Sequence, residues 1–85
     1  MDDFVTETAS KLREEMFKEF LDAAREERLT GNLMVSKVRD YNRKWNKLAE
    51  THIELKPDGF KVFMKKELSE QAFFQDNFGS ALKYL

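Results

Sequence analysis

The chain has 85 residues, of which 41% are hydrophobic and 36% charged, so we expect a single helical domain over 1–85 with a small packed core. The chain has no cysteine and only one histidine, His52. This composition excludes disulfides, thiolate zinc sites and a His-rich metal site within one chain. The net charge of −1 gives no overall attraction to nucleic acid or to an acidic membrane.

The first predicted element is a long helix over about residues 3–28. Asp3 is its expected N-cap, since an acidic side chain is favoured at a helix start. One stripe at helical spacing consists of Val5, Ala9, Leu12, Met16, Phe20 and Ala23. Phe17, Leu21 and Ala24 widen this stripe to about half the circumference. So wide an apolar arc predicts a central helix that is covered from two directions.

The second predicted helix runs over about residues 33–50, after a loop that contains Gly31, and Asn32 is its expected N-cap. Its apolar residues step by 4, 3, 4 and 3, which is the spacing of a heptad seam. The seam consists of Met34, Val38, Tyr41, Trp45 and Leu48. On this seam Tyr41 and Trp45 are expected in the core rather than in base stacking. The short loop predicts antiparallel packing against the first helix.

The third segment has two interpretations. Residues 53–62 resemble a β-hairpin around Pro57-Asp58-Gly59, which would give an α+β fold. Alternatively, a helix begins near Asp58 and places its apolar residues on one side. That stripe consists of Phe60, Phe63, Met64, Leu68, Phe74, Phe78, Ala81, Leu82 and Leu85. We prefer the helix, because the hairpin leaves Phe63 on the wrong face. The predicted fold is therefore all-α, three antiparallel helices with a break in the third allowed near Ser69 or Gly79.

An acidic row lies along one edge of the first apolar stripe. It consists of Glu15, Glu19, Asp22 and Glu26, at steps of 4, 3 and 4. Like charges at this spacing repel weakly, so the row is either a solvated face balanced by Lys18 and Arg25 or a surface for a basic partner. We expect no metal there, since a straight row of carboxylates does not converge on one point.

A basic face on the second helix consists of Arg39, Arg43 and Lys47, on the side opposite the seam. Lys37 and Lys44 flank the seam and could reach the acidic row. Residues 1–30 hold nine acidic and five basic residues, whereas residues 31–68 hold five acidic and nine basic residues. The basic face is therefore a solvated surface, a contact for an acidic protein, or a contact for phosphates.

A second apolar line on the C-terminal helix consists of Val62, Phe73 and Tyr84, spaced by eleven residues. If the helix is continuous, this outer apolar line is exposed and marks a contact surface. Alternatively, a bend at Gly79 buries it.

We find no pattern typical of catalysis. His52 has no nucleophilic partner and no Ser carries a supporting motif, so we expect no enzyme and no cofactor. The favoured hypothesis is a small regulatory or adaptor protein that contacts another protein or itself, as a homo-oligomer. The alternative is a nucleic-acid-binding regulator that uses the basic face. An acidic start and short apolar runs predict no membrane partner and a cytoplasmic location.

Overall fold

The computed structural model describes residues 3–85, which form four helices. They are α1 (Asp3–Arg25), α2 (Gly31–Ala49), α3 (Gly59–Glu70) and α4 (Ala72–Leu82). The described residues contain no strand, so the all-α prediction is confirmed and the hairpin alternative is wrong. The predicted count of three helices is corrected to four, because the third segment divides at Gln71, whose backbone is extended.

Helix α1 buries one stripe and leaves its other sides to solvent. The core stripe from Ala9 to Ala23 is confirmed, but Leu21 is 62% exposed and Ala24 is also exposed. The prediction of a central α1 is therefore wrong, and α2 and α3 are the helices that each pack against the other three. Asp3 is the predicted N-cap, and its side chain lies outside the described part of the structure.

The end of α1 is set by its backbone. Glu27 has a positive φ of 57°, and its N–H donates to the carbonyl of Ala24. The N–H of Arg28 donates to the carbonyl of Ala23 at 2.7 Å. These two bonds form a Schellman motif, which closes the helix before the predicted end at residue 28.

Helix α2 confirms the heptad seam. Met34, Val38, Tyr41 and Trp45 are buried, whereas Leu48 at the end of the seam remains 37% exposed. The N-cap is Thr30 rather than Asn32. Thr30 has an extended backbone, and its hydroxyl accepts a hydrogen bond from the N–H of Leu33 at 3.1 Å.

The C-terminal half follows the predicted stripe with two interruptions. The break at Gln71 lies two residues after Ser69, and Phe78, next to Gly79, has a non-helical φ of −132°. Both predicted break points are therefore close to the observed ones. One core cluster joins the four helices and the loop residue Leu55. None of the described helices is long and apolar enough to cross a membrane.

Candidate functional site

Two asparagines of α2 hold the start of α3. Asn42, which is buried, donates to the carboxylate of Asp58 at 2.8 Å and accepts from the N–H of Lys61 at 3.0 Å. Asn46 accepts from the N–H of Asp58 at 2.7 Å and donates to its carboxylate at 3.1 Å. The hydrogen bonds from Asn46 and then Asn42 lower the pKa of Asp58, whose φ is 61°.

Trp45 completes this contact, which we name the junction: Asn42, Trp45, Asn46, Lys56, Asp58, Gly59 and Lys61. The indole N–H of Trp45 donates to the carbonyl of Lys56 at 2.7 Å. Gly59 packs so closely on the same ring that a Cβ there would lie 2.9 Å from it. The Pro57-Asp58-Gly59 turn therefore begins a helix instead of a hairpin. Sequence reasoning missed this contact, for which the pair of asparagines four residues apart, beside a seam Trp, is the signal that could have been used.

The acidic row is partly used inside the fold. The carboxylate of Glu19 accepts from the hydroxyl of Tyr41 at 2.6 Å and from the ammonium of Lys37 at 3.2 Å. The Tyr41 hydrogen bond lowers the pKa of Glu19 more than partial burial raises it, and Lys37 lowers it further. Burial and the Glu19 carboxylate in turn raise the pKa of Tyr41. The predicted reach of Lys37 to the acidic row is confirmed.

The other three members of the row divide between two places. The carboxylate of Asp22 lies 3.8 Å from the guanidinium of Arg25, and the carboxylate of Glu26 pairs with Arg28. Asp22 and Glu26 line the same groove as Glu19. Glu15 lies outside this groove, among lysines near the start of α1. The structure therefore does not bring the row together as one acidic surface.

The basic face is also divided. Arg39 and Arg43 line a groove of about 550 Å³ between α2 and the C-terminal turn, which we name the arginine groove. The guanidinium of Arg39 donates to the carbonyl of Tyr84 at 3.1 Å, and that of Arg43 pairs with Asp40 at 2.8 Å. Lys47 lies in a different groove, between α1 and α2.

The outer apolar line is exposed, so the alternative in which a bend at Gly79 buries it does not hold. Val62, Phe73 and Tyr84 are 67%, 60% and 73% exposed. They do not share one site, because Tyr84 lines the arginine groove while the ring of Phe73 packs against Phe74 at 5.2 Å.

Phe73 belongs to a larger apolar surface at the contact of α1 with α4. The ring of Phe74 lies 5.7 Å from that of Phe17, and Phe73 also packs on Phe78 at 6.2 Å. Leu21 follows Phe17 by one turn, so both stand on one side of α1. We name Phe17, Leu21, Phe73 and Phe78 the aromatic face. The sequence assigned Leu21 to the buried arc and so missed this surface.

A second groove, of about 520 Å³, lies between the first half of α1 and the end of α2. The rings of Phe4 and His52 close one end of it, 4.8 Å apart. We name it the lysine groove, and it is lined by Phe4, Thr8, Lys11, Leu12, Glu15, Lys44, Lys47, Leu48 and His52. Sequence reasoning missed it, because its two walls are at least 29 positions apart in the chain.

Within residues 3–85 no group of three or more histidine, aspartate or glutamate side chains is arranged to hold a metal ion. No family model, curated protein or solved structure matches this chain. The candidate sites are therefore the three surfaces that the geometry defines: the aromatic face, the arginine groove and the lysine groove.

Proposed function

We propose that this protein is a non-enzymatic adaptor or small regulator that works through contact with another protein or with a second copy of itself. The observation that carries the proposal is the aromatic face. Leu21 and Phe73 are 62% and 60% exposed, although the core beneath them is already closed by Phe20 and Phe74. These two side chains are therefore not needed to complete the core.

Covering such a surface is favourable, because each Å² of apolar area removed from water contributes roughly 25 cal/mol. The aromatic face also has a polar rim. The guanidinium of Arg13 lies 4.8 Å from the centre of the Phe17 ring and forms an ion pair with Glu67 at 2.9 Å. An apolar centre with a charged border is the usual composition of a protein–protein interface.

A chain of this size gains stability from association, since one small core is only marginally stable. Its net charge of −1 does not oppose contact between two copies. Both a homo-oligomer and a complex with a different protein therefore agree with the proposal.

The test compares the wild type with a Leu21→Glu/Phe73→Glu variant. Both changes are at exposed positions, so we expect the circular dichroism spectrum and the melting temperature to be retained. Ile53→Glu is the matched control, because Ile53 is 96% exposed in the loop after α2, at the opposite end of α1 from Leu21.

Two measurements are read together: the molar mass by sedimentation equilibrium over a range of concentrations, and the proteins retained by the tagged chain from a lysate of its native cell. We expect a self-association or a specific partner that the double variant loses and the control keeps. A wild type that is monomeric at all concentrations, and that retains nothing the variant lacks, would contradict the proposal.

A second candidate function is binding of nucleic acid, and the arginine groove favours it. Two guanidinium groups and the 73% exposed ring of Tyr84 lie in one groove, where they could contact phosphates and stack on a base. Against it, Arg43 is paired with Asp40 and the basic face is split.

This candidate is tested by titration against single-stranded DNA and RNA at about 50 mM and about 200 mM salt. Arg39→Ala/Arg43→Ala should lower the affinity, whereas Lys47→Ala, in the other groove, should change it less. Absence of salt-sensitive binding at micromolar protein would remove the candidate.

A further inference from the structure

The lysine groove combines an apolar floor with one cationic wall. Leu12 is buried at its floor, and Phe4 and Leu48, which also line it, are 39% and 37% exposed. Lys11 and Glu15 stand on α1, so that wall has no net charge, whereas Lys44 and Lys47 make the α2 wall positively charged. Apolar atoms are thus accessible beside a positively charged border.

None of these lysines forms an ion pair within the described chain. None of the three ammonium groups lies within 4.0 Å of a described carboxylate, and that of Lys44 lies 4.3 Å from the centre of the Tyr41 ring. Glu15 is the one acidic residue among the lining residues, so with His52 neutral the lining carries a net charge of +2.

The other end of the same helix pair shows what a neutralised contact looks like. There Lys37 pairs with Glu19 at 3.2 Å, and Asp22 and Glu26 each lie beside an arginine. At the C-terminal end of α1 the charged groups of the α1–α2 pair therefore form ion pairs. At the N-terminal end of α1 the lysines of the groove have no such partner in the described chain.

We infer that the lysine groove binds an acidic amphipathic helix of a partner protein. This inference rests on the proposed function, and it names the chemistry of the partner. The groove extends along α1 from Phe4 to Glu15, which is about 16 Å at 1.5 Å per residue. A helical segment of about 12 residues fills that length, with apolar residues on one side and carboxylates on the flank that faces α2.

The geometry favours this occupant over three others. A membrane surface would need a flat apolar face, whereas Leu12 lies between two walls. In a second copy the apolar stripe of the acidic helix α1, from Ala9 to Ala23, is buried in its own core, so that helix cannot dock by it. Nucleic acid would neutralise the lysines but leave the apolar floor uncovered. Only an acidic helix with an apolar side satisfies both features of the groove.

The probe is a fluorescein-labelled peptide of about 16 residues, with leucines at i, i+4, i+7 and i+11 and glutamates on one flank. A second peptide carries glutamine in place of each glutamate, and a third has the first composition in scrambled order. Fluorescence anisotropy follows their binding to the full chain at low and high salt. We expect binding of the first peptide alone, weakened by salt, with ¹⁵N shifts at Lys47 and Leu48.

The variant Lys11→Glu/Lys44→Glu/Lys47→Glu should weaken this binding at least about tenfold. The matched control is Lys18→Glu/Lys65→Glu/Lys66→Glu, which makes the same charge change at exposed lysines outside the groove. Because all six side chains are exposed, both variants should fold, and circular dichroism checks that they do. Since the floor also contributes, Leu48→Ser should weaken binding without changing its salt dependence.

Three outcomes would overturn the inference. They are equal loss in the control variant, equal binding of the glutamine peptide, and binding of anionic vesicles in place of the peptide. None of these depends on the aromatic face. If Leu21→Glu/Phe73→Glu still removes a partner while the lysine variant binds peptide like the wild type, the groove inference fails and the proposed function stands. If no protein contact is found by either route, the proposed function fails as well.

Discussion

The same stretch of α2, residues 42–48, contributes to two regions that are built in opposite ways. Towards α3, each polar side chain of the junction on α2 forms a hydrogen bond: these are Asn42, Trp45 and Asn46. Towards α1, Lys44 and Lys47 border the lysine groove without a carboxylate partner in the described chain.

Burial explains the difference. Asn42 is only 6% exposed, and a buried polar group that lacks a partner costs about 1–3 kcal/mol, so the junction tolerates no missing bond. The lysines are exposed, and water hydrates an unpaired ammonium group without such a cost. The junction therefore specifies the fold, whereas the groove keeps interaction capacity for something outside the chain. Substitutions in the two regions separate these two roles.

The largest expected effect is that of Asn42→Ala. This change removes a hydrogen bond to a carboxylate and leaves the N–H of Lys61 without its acceptor. We expect the free energy of unfolding to fall by about 3 kcal/mol, measured by urea denaturation. Asn77→Ala is the control, since Asn77 is exposed and, among residues 3–85, its side chain bonds only to a carbonyl of its own helix, so this change should cost far less. Similar losses in both variants would refute a special role for the junction.

Gly59→Ala should destabilise the protein by about 2 kcal/mol, because the new methyl group meets the Trp45 ring at 2.9 Å. That ring cannot move freely while its N–H donates to Lys56. Gly79→Ala provides a control of opposite sign. Its methyl group would meet only the flexible end of Gln75 at 3.3 Å, so the helix propensity of alanine should leave stability unchanged or raise it. Thermal melting of the two variants side by side decides this prediction.

The pH dependence of stability should show a smaller effect. The pKa values of Asp58 and Glu19 are lowered from 3.8 and 4.5 by hydrogen bonds that exist only in the folded chain. A lowered pKa adds stability that is fully present above the unfolded value and is lost as the pH falls through the folded value.

We therefore expect the stability gap between the wild type and Asp58→Asn to shrink as the pH is lowered below 3.8, and that of Glu19→Gln below 4.5. Urea denaturation at a series of pH values measures both gaps. A gap that stays constant down to acid pH would show that the folded-state hydrogen bonds do not favour the ionised carboxylates.

The smallest effect is expected in the lysine groove itself. Lys11→Gln/Lys47→Gln should change the free energy of unfolding by no more than about 0.5 kcal/mol, since neither ammonium group is paired with a carboxylate or an aromatic ring within the described residues. Lys37→Gln, which breaks the pair with Glu19, should cost up to about 1 kcal/mol. If the groove variant is the more destabilised of the two, its lysines serve the fold and the contrast with the junction is lost.

Much of the fold could be predicted from the sequence, because helices are specified by spacing within a few residues. The seam of Met34, Val38, Tyr41 and Trp45 and the core stripe of α1 follow from that spacing alone. The breaks predicted near Ser69 and Gly79 lie close to the observed ones, but the residue at the first break is Gln71, and Ser69 does not cap α4. The candidate site could be predicted less well from the sequence. Of the predicted surface residues, Phe73 and Tyr84 are exposed as expected, but they belong to different surfaces.

What the sequence determined by itself is the helical class, the position of the core stripes and the segregation of charge between residues 1–30 and 31–68. Tertiary structure alone decided that Leu21 is exposed, that Glu19 is the member of the acidic row that Lys37 and Tyr41 contact, and that Lys47 lies apart from Arg39. The physical reason is that periodicity depends on neighbours one turn away, whereas charge pairing and exposure depend on which helices cross and where. The contact of Phe4 with His52, forty-eight positions apart in the chain, closes the lysine groove and has no local signal.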